Sequence, residues 1–113
     1  MKVSFNGFND KALTFMCEEE IMKGYPVNIK DNYTVSKADT ADSFVGICIE
    51  SDNENAVVQV SGYVKMNYSD SAPTLGKNYL VCAADGTVQE NSKGTPVTVL
   101  AVNNTDTTVD FLF

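Results

Sequence analysis

The stretch AVVQVSGYVKMNY, at residues 56–68, constrains the fold of this chain more than any other part of its sequence. Small or apolar residues alternate with mostly polar ones, which is the periodicity of a β-strand with one buried face. These 13 residues in one straight strand would span roughly 43 Å, longer than a domain of this size is wide. Gly62 lies on the apolar face, where a glycine commonly marks a bulge or a barrel corner. We therefore predict that the chain turns at Gly62 from one sheet to the next.

Turn signals recur along the whole chain, and short runs rich in Val and Thr separate them. This spacing predicts an all-β fold, a single-domain antiparallel barrel or sandwich of about eight or nine short strands. Only residues 17–23 have a pattern compatible with a helical turn. The predicted strands are Ala12–Cys17, Pro26–Lys30, Thr34–Lys37, Phe44–Glu50, Ala56–Tyr68, Tyr79–Ala83, Thr87–Gln89, Val97–Asn103 and Thr107–Phe113.

A weak internal similarity relates the two halves of the sequence at an offset of 53 residues. It aligns PVNIKDNYTV with YLVCAADGTV, FVGICIE with VTVLAVN, and NAVVQV with TVDFLF. One interpretation is a pair of four-strand units, joined by residues 61–75. The alternative is that any all-β chain aligns with itself because its side chains alternate with a period of two.

Charge and composition exclude several classes of partner and compartment. All eight basic residues are lysine, and the net charge is −7, so we expect no nucleic-acid partner. Apolar runs of only a few residues predict no membrane span, and the N-terminus lacks the apolar core of a secretory signal. Cys17, Cys48 and Cys82 have no metal-binding spacing, which favours free thiols, and a disulfide is the alternative. We expect a protein made in a reducing cytoplasm.

The residues needed for common catalytic chemistry are largely missing. Without histidine there is no Ser/His or Cys/His pair and no histidine ligand for zinc. Glycine-rich phosphate-binding motifs are absent, and Lys65 alternates onto the polar face of its strand. We therefore expect no enzyme, no cofactor and no metal. Two alternatives stay open: a carboxylate-based hydrolase, although the adjacent Glu18–Glu20 spread around a turn and do not converge on one point, and weak calcium binding near Asp52 and Glu54.

Aromatic residues are the remaining candidates for binding. Tyr25, Tyr33 and Tyr63 could form a sugar-binding face, although packing or a subunit contact is the more common role of such side chains. The first residues form a different group, in which Val3, Phe5 and Phe8 lie among Gly and Asn before any strong strand signal. We predict that residues 1–19 form an N-terminal arm and first strand that contact a partner, with the main domain at residues 20–113. The predicted contact residues are Val3, Phe5, Phe8 and Tyr63.

An ordered series of short motifs extends from about Glu20 to the C-terminus. In order they are IMKGYPVNI, VSKADTADSFVGICIE, VQVSGYVKMNYSDSAPTLGKNYLV, DGTVQE and TPVTVLAVNNTDTTVDFLF. Together they resemble the small β-rich head decoration (capsid cement) proteins of tailed phages and prophages of Firmicutes. The first 19 residues match no motif of that family.

The resemblance implies a β-barrel or β-tulip module without catalytic residues, with Gly46 and Gly62 as strand glycines. It also implies a protein that binds the outside of an assembled phage head and stabilises it, commonly as a homotrimer. Its partner would then be the major capsid protein and its location the virion surface, after synthesis in the bacterial cytoplasm. The alternative function is a carbohydrate- or host-surface-binding module, such as a head fibre.

Overall fold

The computed structural model describes residues 11–113, and it is almost entirely β-structure. Short β-rich runs between turns predicted this class, and the all-β prediction is confirmed. Residues 11–113 contain ten strands and one 3₁₀ turn: β1 Lys11–Cys17, β2 Pro26–Asp31, β3 Thr34–Lys37, β4 Gly46–Ser51, β5 Asn55–Ser61, β6 Tyr63–Asn67, β7 Gly76–Cys82, the turn Ala84–Gly86, β8 Val88–Glu90, β9 Thr95–Asn103 and β10 Thr108–Leu112.

The first half of the chain forms a closed barrel with the strand order β1-β3-β2-β4-β5. A parallel pairing of β1 with β3 closes it, placing Met16 opposite Thr34 and Cys17 opposite Val35. The other neighbouring pairs are antiparallel. The barrel is filled by buried apolar side chains, because alternate residues of each strand point inward. They are Cys17, Ile21, Val27, Val35, Cys48, Ala56 and Val58.

The second half forms a five-stranded antiparallel sheet in the order β6-β10-β9-β7-β8. A single parallel bridge from Tyr68 to Val88 links the two outer strands of this sheet. The core beneath it includes Leu80, Val88, Val109 and Phe111, all with no exposed surface. No helix within residues 11–113 is long and apolar enough to cross a membrane.

The two halves have the same strand order, as the weak sequence similarity suggested. In the first half β3-β2-β4-β5 is followed by β1, and in the second β8-β7-β9-β10 is followed by β6. The hairpin registers also match, because Ile29 pairs with Val35 and Cys82 with Val88. The prediction of four strands in each half was wrong. Residues 61–75 contain a fifth strand, β6, which pairs with β10 as β1 pairs with β5.

Gly62 separates β5 from β6, and its φ is 97°. Since β5 belongs to the barrel and β6 to the second sheet, the predicted change of sheet at this glycine is confirmed. A φ in this range is easily reached by glycine and disfavoured for other residues. The residue therefore lets one alternating sequence serve two sheets.

The β3–β4 connection, residues 38–45, belongs to the first half and packs against the second. Ala41 N–H donates to the Cys82 carbonyl oxygen at 2.8 Å, and Cys82 N–H donates to the Asp42 carbonyl oxygen at 2.8 Å. Phe44, which was predicted to begin a strand, instead precedes β4 and packs into the core of the second half. Residues 18–23 contain no helix, and Ile21 from this segment is buried in the barrel.

Candidate functional site

The predicted contact residues divide into two groups. Val3, Phe5 and Phe8 lie outside the described residues. Tyr63 is the first residue of β6, directly after Gly62. Among the predicted contact residues, Tyr63 alone lies in the described part of the chain, so the site is described from the surface around β6.

Tyr63 is half-buried. Its hydroxyl donates a hydrogen bond to the Asp110 carboxylate on the neighbouring strand β10. Burial, reinforced by the Asp110 carboxylate, raises the pKa of Tyr63 to about 12. The hydroxyl is consequently neutral at physiological pH. Alternation within one strand could not reveal this contact, because it depends on how β6 and β10 pair. Leu112 lies directly opposite Tyr63, and Asp110, two residues earlier in β10, is its diagonal neighbour.

Lys65 lies on the same outer face of β6 as Tyr63, because side chains two residues apart point to one side of a strand. Asp110 is its direct cross-strand partner. Yet the one ion pair among residues 11–113 joins Lys30 to Glu18, not Lys65 to Asp110. Asp110 accepts from Tyr63, and the Lys65 ammonium forms no ion pair among the described residues.

Lys65 also lines a cavity at the boundary between the two halves. The cavity has a volume of about 370 Å³, with Lys23 and Tyr25 from the first half and Asn67 and Gly86 from the second among its lining residues. A neighbouring cavity of about 250 Å³ shares Tyr25, Asp85 and Gly86 with it. We call the combined depression the seam groove; its principal residues are Lys23, Tyr25, Lys37, Lys65, Asp85 and Gly86.

The Tyr25 ring forms the centre of the seam groove. A Cβ atom added to Gly86 would lie 2.6 Å from this ring, so the ring occupies space that only a glycine leaves open. The Lys37 Nζ lies 5.8 Å from the ring centroid, within the range of a cation–π interaction. These contacts connect β3, the β1–β2 connection and the 3₁₀ turn. The groove is therefore built jointly by both halves.

Three exposed lysines surround the seam groove: Lys23, Lys37 and Lys65. None of them forms an ion pair within the part of the chain that the structure describes. In the sequence they are far apart and separated by carboxylates, so the pattern of charge did not reveal a basic site. No pattern in the sequence could have found it, because the site depends on how the two halves pack against each other.

The carboxylates considered for catalysis or calcium binding have local roles instead. Glu18 pairs with Lys30 at 2.8 Å. Asp52 accepts backbone hydrogen bonds from Glu54 N–H at 2.8 Å and Asn55 N–H at 2.7 Å, and these bonds lower its pKa. Within residues 11–113 no group of three or more His, Cys, Asp or Glu side chains is arranged to hold a metal ion.

The three cysteines are free and buried. Burial raises the pKa of the Cys17, Cys48 and Cys82 thiols, so the reactive thiolate form is disfavoured. Cys17 and Cys48 fill the barrel, and Cys82 lies at the contact with residues 41–42. The interpretation of these residues as small apolar side chains is therefore confirmed, and that of a disulfide is not supported.

Comparison with known proteins does not assign the chain to a family. No family model matches it. No curated protein matches it either. The basis for a function is consequently the residues, the fold and the motif resemblance.

Proposed function

We propose that this chain is a capsid decoration protein that binds the outer surface of an assembled phage head and stabilises it. The observation that carries the proposal is the ordered motif series from about Glu20 to the C-terminus. Those motifs coincide with the junctions of the fold. The GYV motif falls at the change of sheet, YSDSAPTLG connects β6 to β7, and FVGI leads into β4.

The proposed mechanism is the burial of surface across several capsid subunits by each copy. Separating those subunits then also requires removal of the decoration protein, so binding raises shell stability by mass action. We propose the major capsid protein as partner, a homotrimer as the assembled form and the virion surface as the location. In this role the protein needs no catalytic residue and no cofactor.

The contact residues we propose are Val3, Phe5 and Phe8 of the N-terminal arm, with Tyr63 as a further contact. Large apolar side chains contribute most of the affinity of protein interfaces when a partner pocket buries them. Tyr63 adds a ring whose hydroxyl is held by Asp110, so little rotational freedom would be lost on binding.

The direct test is co-sedimentation of the purified protein with expanded, undecorated capsids of the encoding phage. The full-length protein should sediment with the shells, whereas deletion of residues 1–9 should abolish binding and leave the melting temperature nearly unchanged. A folded protein that stays in the supernatant would refute the proposal. A large fall in melting temperature after the deletion would instead assign those residues to the folded core.

Tyr63 is tested in the same assay with two substitutions. Tyr63→Ala should weaken binding several-fold, whereas Tyr63→Phe should retain most of it, because the ring and not the hydroxyl would face the capsid. Tyr33→Ala is the matched control, since Tyr33 is 81% exposed at the β2–β3 turn. Equal effects of Tyr63→Ala and Tyr33→Ala would remove Tyr63 from the proposed contact.

A second candidate function, carbohydrate binding, is favoured by one observation on strand β7 of the second sheet. Tyr79 is half-exposed, lies opposite Pro96 and lines a cavity of about 260 Å³ with Lys77 and Thr98. An exposed ring beside polar side chains is a suitable surface for a sugar. A glycan array separates the two functions: selective binding that Tyr79→Ala abolishes would support this candidate and count against decoration alone.

A further inference from the structure

We propose that the seam groove is a docking site for an acidic polypeptide segment. The three lysines that surround it, Lys23, Lys37 and Lys65, form no ion pair among residues 11–113. The chain as a whole has a net charge of −7, so most of its surface repels an acidic partner. The three lysines around one groove therefore give an acidic segment a local site of attraction, which orients the encounter.

The lining of the groove favours a peptide over a dense polyanion. Asp39 and Asp85 lie among the lysines and would repel a continuous row of phosphate or sulfate groups. They can instead accept hydrogen bonds from peptide N–H groups, and the Asn67 side chain can both donate and accept. A segment with spaced carboxylates could satisfy the lysines and these polar groups together.

The groove also adjoins the predicted contact residue on β6. Lys65 and Asn67 share the outer face of that strand with Tyr63, so a segment lying in the groove would continue toward the Tyr63 ring. The Tyr25 ring, which lies close to both Gly86 and Lys37, gives the segment an apolar surface to pack on. This site is additional to the N-terminal arm, and it does not depend on the capsid being the partner.

Fluorescence anisotropy at about 0.15 M salt, with a labelled peptide in which glutamate alternates with glycine, tests the proposal. The protein should bind the peptide, and Lys23→Gln, Lys37→Gln and Lys65→Gln together should weaken binding at least tenfold. The matched control combines Lys11→Gln, Lys77→Gln and Lys93→Gln, which change the net charge equally but lie outside the groove. The control variant should bind within about twofold of the unmodified protein, because long-range attraction alone contributes little.

Three outcomes would overturn the proposal: no binding by the unmodified protein, equal weakening in both variants, or tighter binding of polyphosphate than of the glutamate-glycine peptide. Backbone amide shifts of the unmodified protein provide a test that needs no substitution. On peptide addition, the amide signals of Tyr25, Lys65 and Gly86 should shift more than those of Lys77 and Lys93. No capsid is used, so failure here and failure of co-sedimentation are distinguishable.

Discussion

Glu90 fixes the connection between β6 and β7 to the second sheet. One of its oxygens, Oε1, accepts hydrogen bonds from Thr74 N–H at 2.9 Å and from the Asn78 side chain at 2.7 Å. These bonds lower the pKa of Glu90. Asn78 is buried, so without the carboxylate it would lose a partner that water cannot easily replace.

Replacing Glu90 with Gln should therefore destabilise the protein in a pH-dependent way. Because the folded-state pKa is depressed, the charge contributes stability above the ordinary glutamate pKa, and the contribution is lost as pH falls through the folded value. We expect a loss of about 0.5 kcal/mol at pH 7, small because Glu90 is exposed, and a difference near zero at about pH 2. Urea unfolding across this pH range measures it.

Asp70→Asn is the control for Glu90→Gln, because the Asp70 carboxylate accepts no hydrogen bond within residues 11–113. It should change stability little at either pH. A Glu90→Gln difference that stays constant or grows as pH falls would contradict the assigned role of the Glu90 charge.

Gly62→Val tests the change of sheet at a single residue. Valine is strongly disfavoured at a φ of 97°, so the substitution should lower the free energy of unfolding by about 1–3 kcal/mol. Gly62→Asn is the comparison, because asparagine tolerates positive φ better than a β-branched residue does. Chemical denaturation measures both, and equal stability of the two variants would argue against backbone strain as the cause.

At the scale of elements, the two halves of the repeat differ in how Ile29 and Cys82 are covered. These residues occupy equivalent places in the β2–β3 and β7–β8 hairpins. The Ala38 N–H bonds the Pro26 carbonyl oxygen, so by strand alternation the Ile29 N–H points away from β3. Residues 41–42 form backbone hydrogen bonds with Cys82 and cover that part of β7, and Cys82 is 3% exposed. Ile29 is 51% exposed.

Hydrogen exchange should separate these two equivalent amides. The Cys82 N–H donates to the Asp42 carbonyl oxygen, whereas β4 pairs with β2 only at Pro26 and Val27 and does not reach Ile29. We expect the Cys82 amide to exchange at least roughly 100-fold more slowly than the Ile29 amide, after correction for intrinsic rates. Equal protection of the two amides would contradict this assignment, because it would mean that the Ile29 amide is also shielded from water.

At the scale of the whole molecule, the two halves share a core. Phe44 and Ile47 come from the first half of the chain, and both pack with Val97, Val109 and Phe111 of the second. Phe113 packs edge-on against both Phe44, at a centroid distance of 6.2 Å, and Phe111, at 5.7 Å. The repeat is therefore one folding unit and not two domains on a linker.

Phe44→Ala should lower the free energy of unfolding by about 3–5 kcal/mol, because it leaves a cavity in the shared core. Unfolding should still be a single transition when followed by both tyrosine fluorescence and circular dichroism. Ile49→Ala, which truncates a half-exposed residue of β4, should cost much less. Two separated transitions would contradict the shared core.

The sequence predicted the strands well where side chains alternate strictly, as at residues 56–68. The prediction was less accurate where a side chain packs against a part of the fold that is distant in sequence. Phe44 continues an apolar run and so looked like strand, but its side chain fills the neighbouring half. β6 was missed as a separate strand of the repeat, because the self-alignment matched strands only outside residues 61–75.

By itself, the sequence determined the all-β class, the bend at Gly62 and the absence of histidine chemistry, because alternation, glycine and composition are local properties. Only the tertiary structure decided that Tyr63 bonds Asp110 and that Lys23, Lys37 and Lys65 meet around one groove. Those contacts join residues distant in sequence. Their positions depend on strand register and on how the halves pack, which no local pattern encodes.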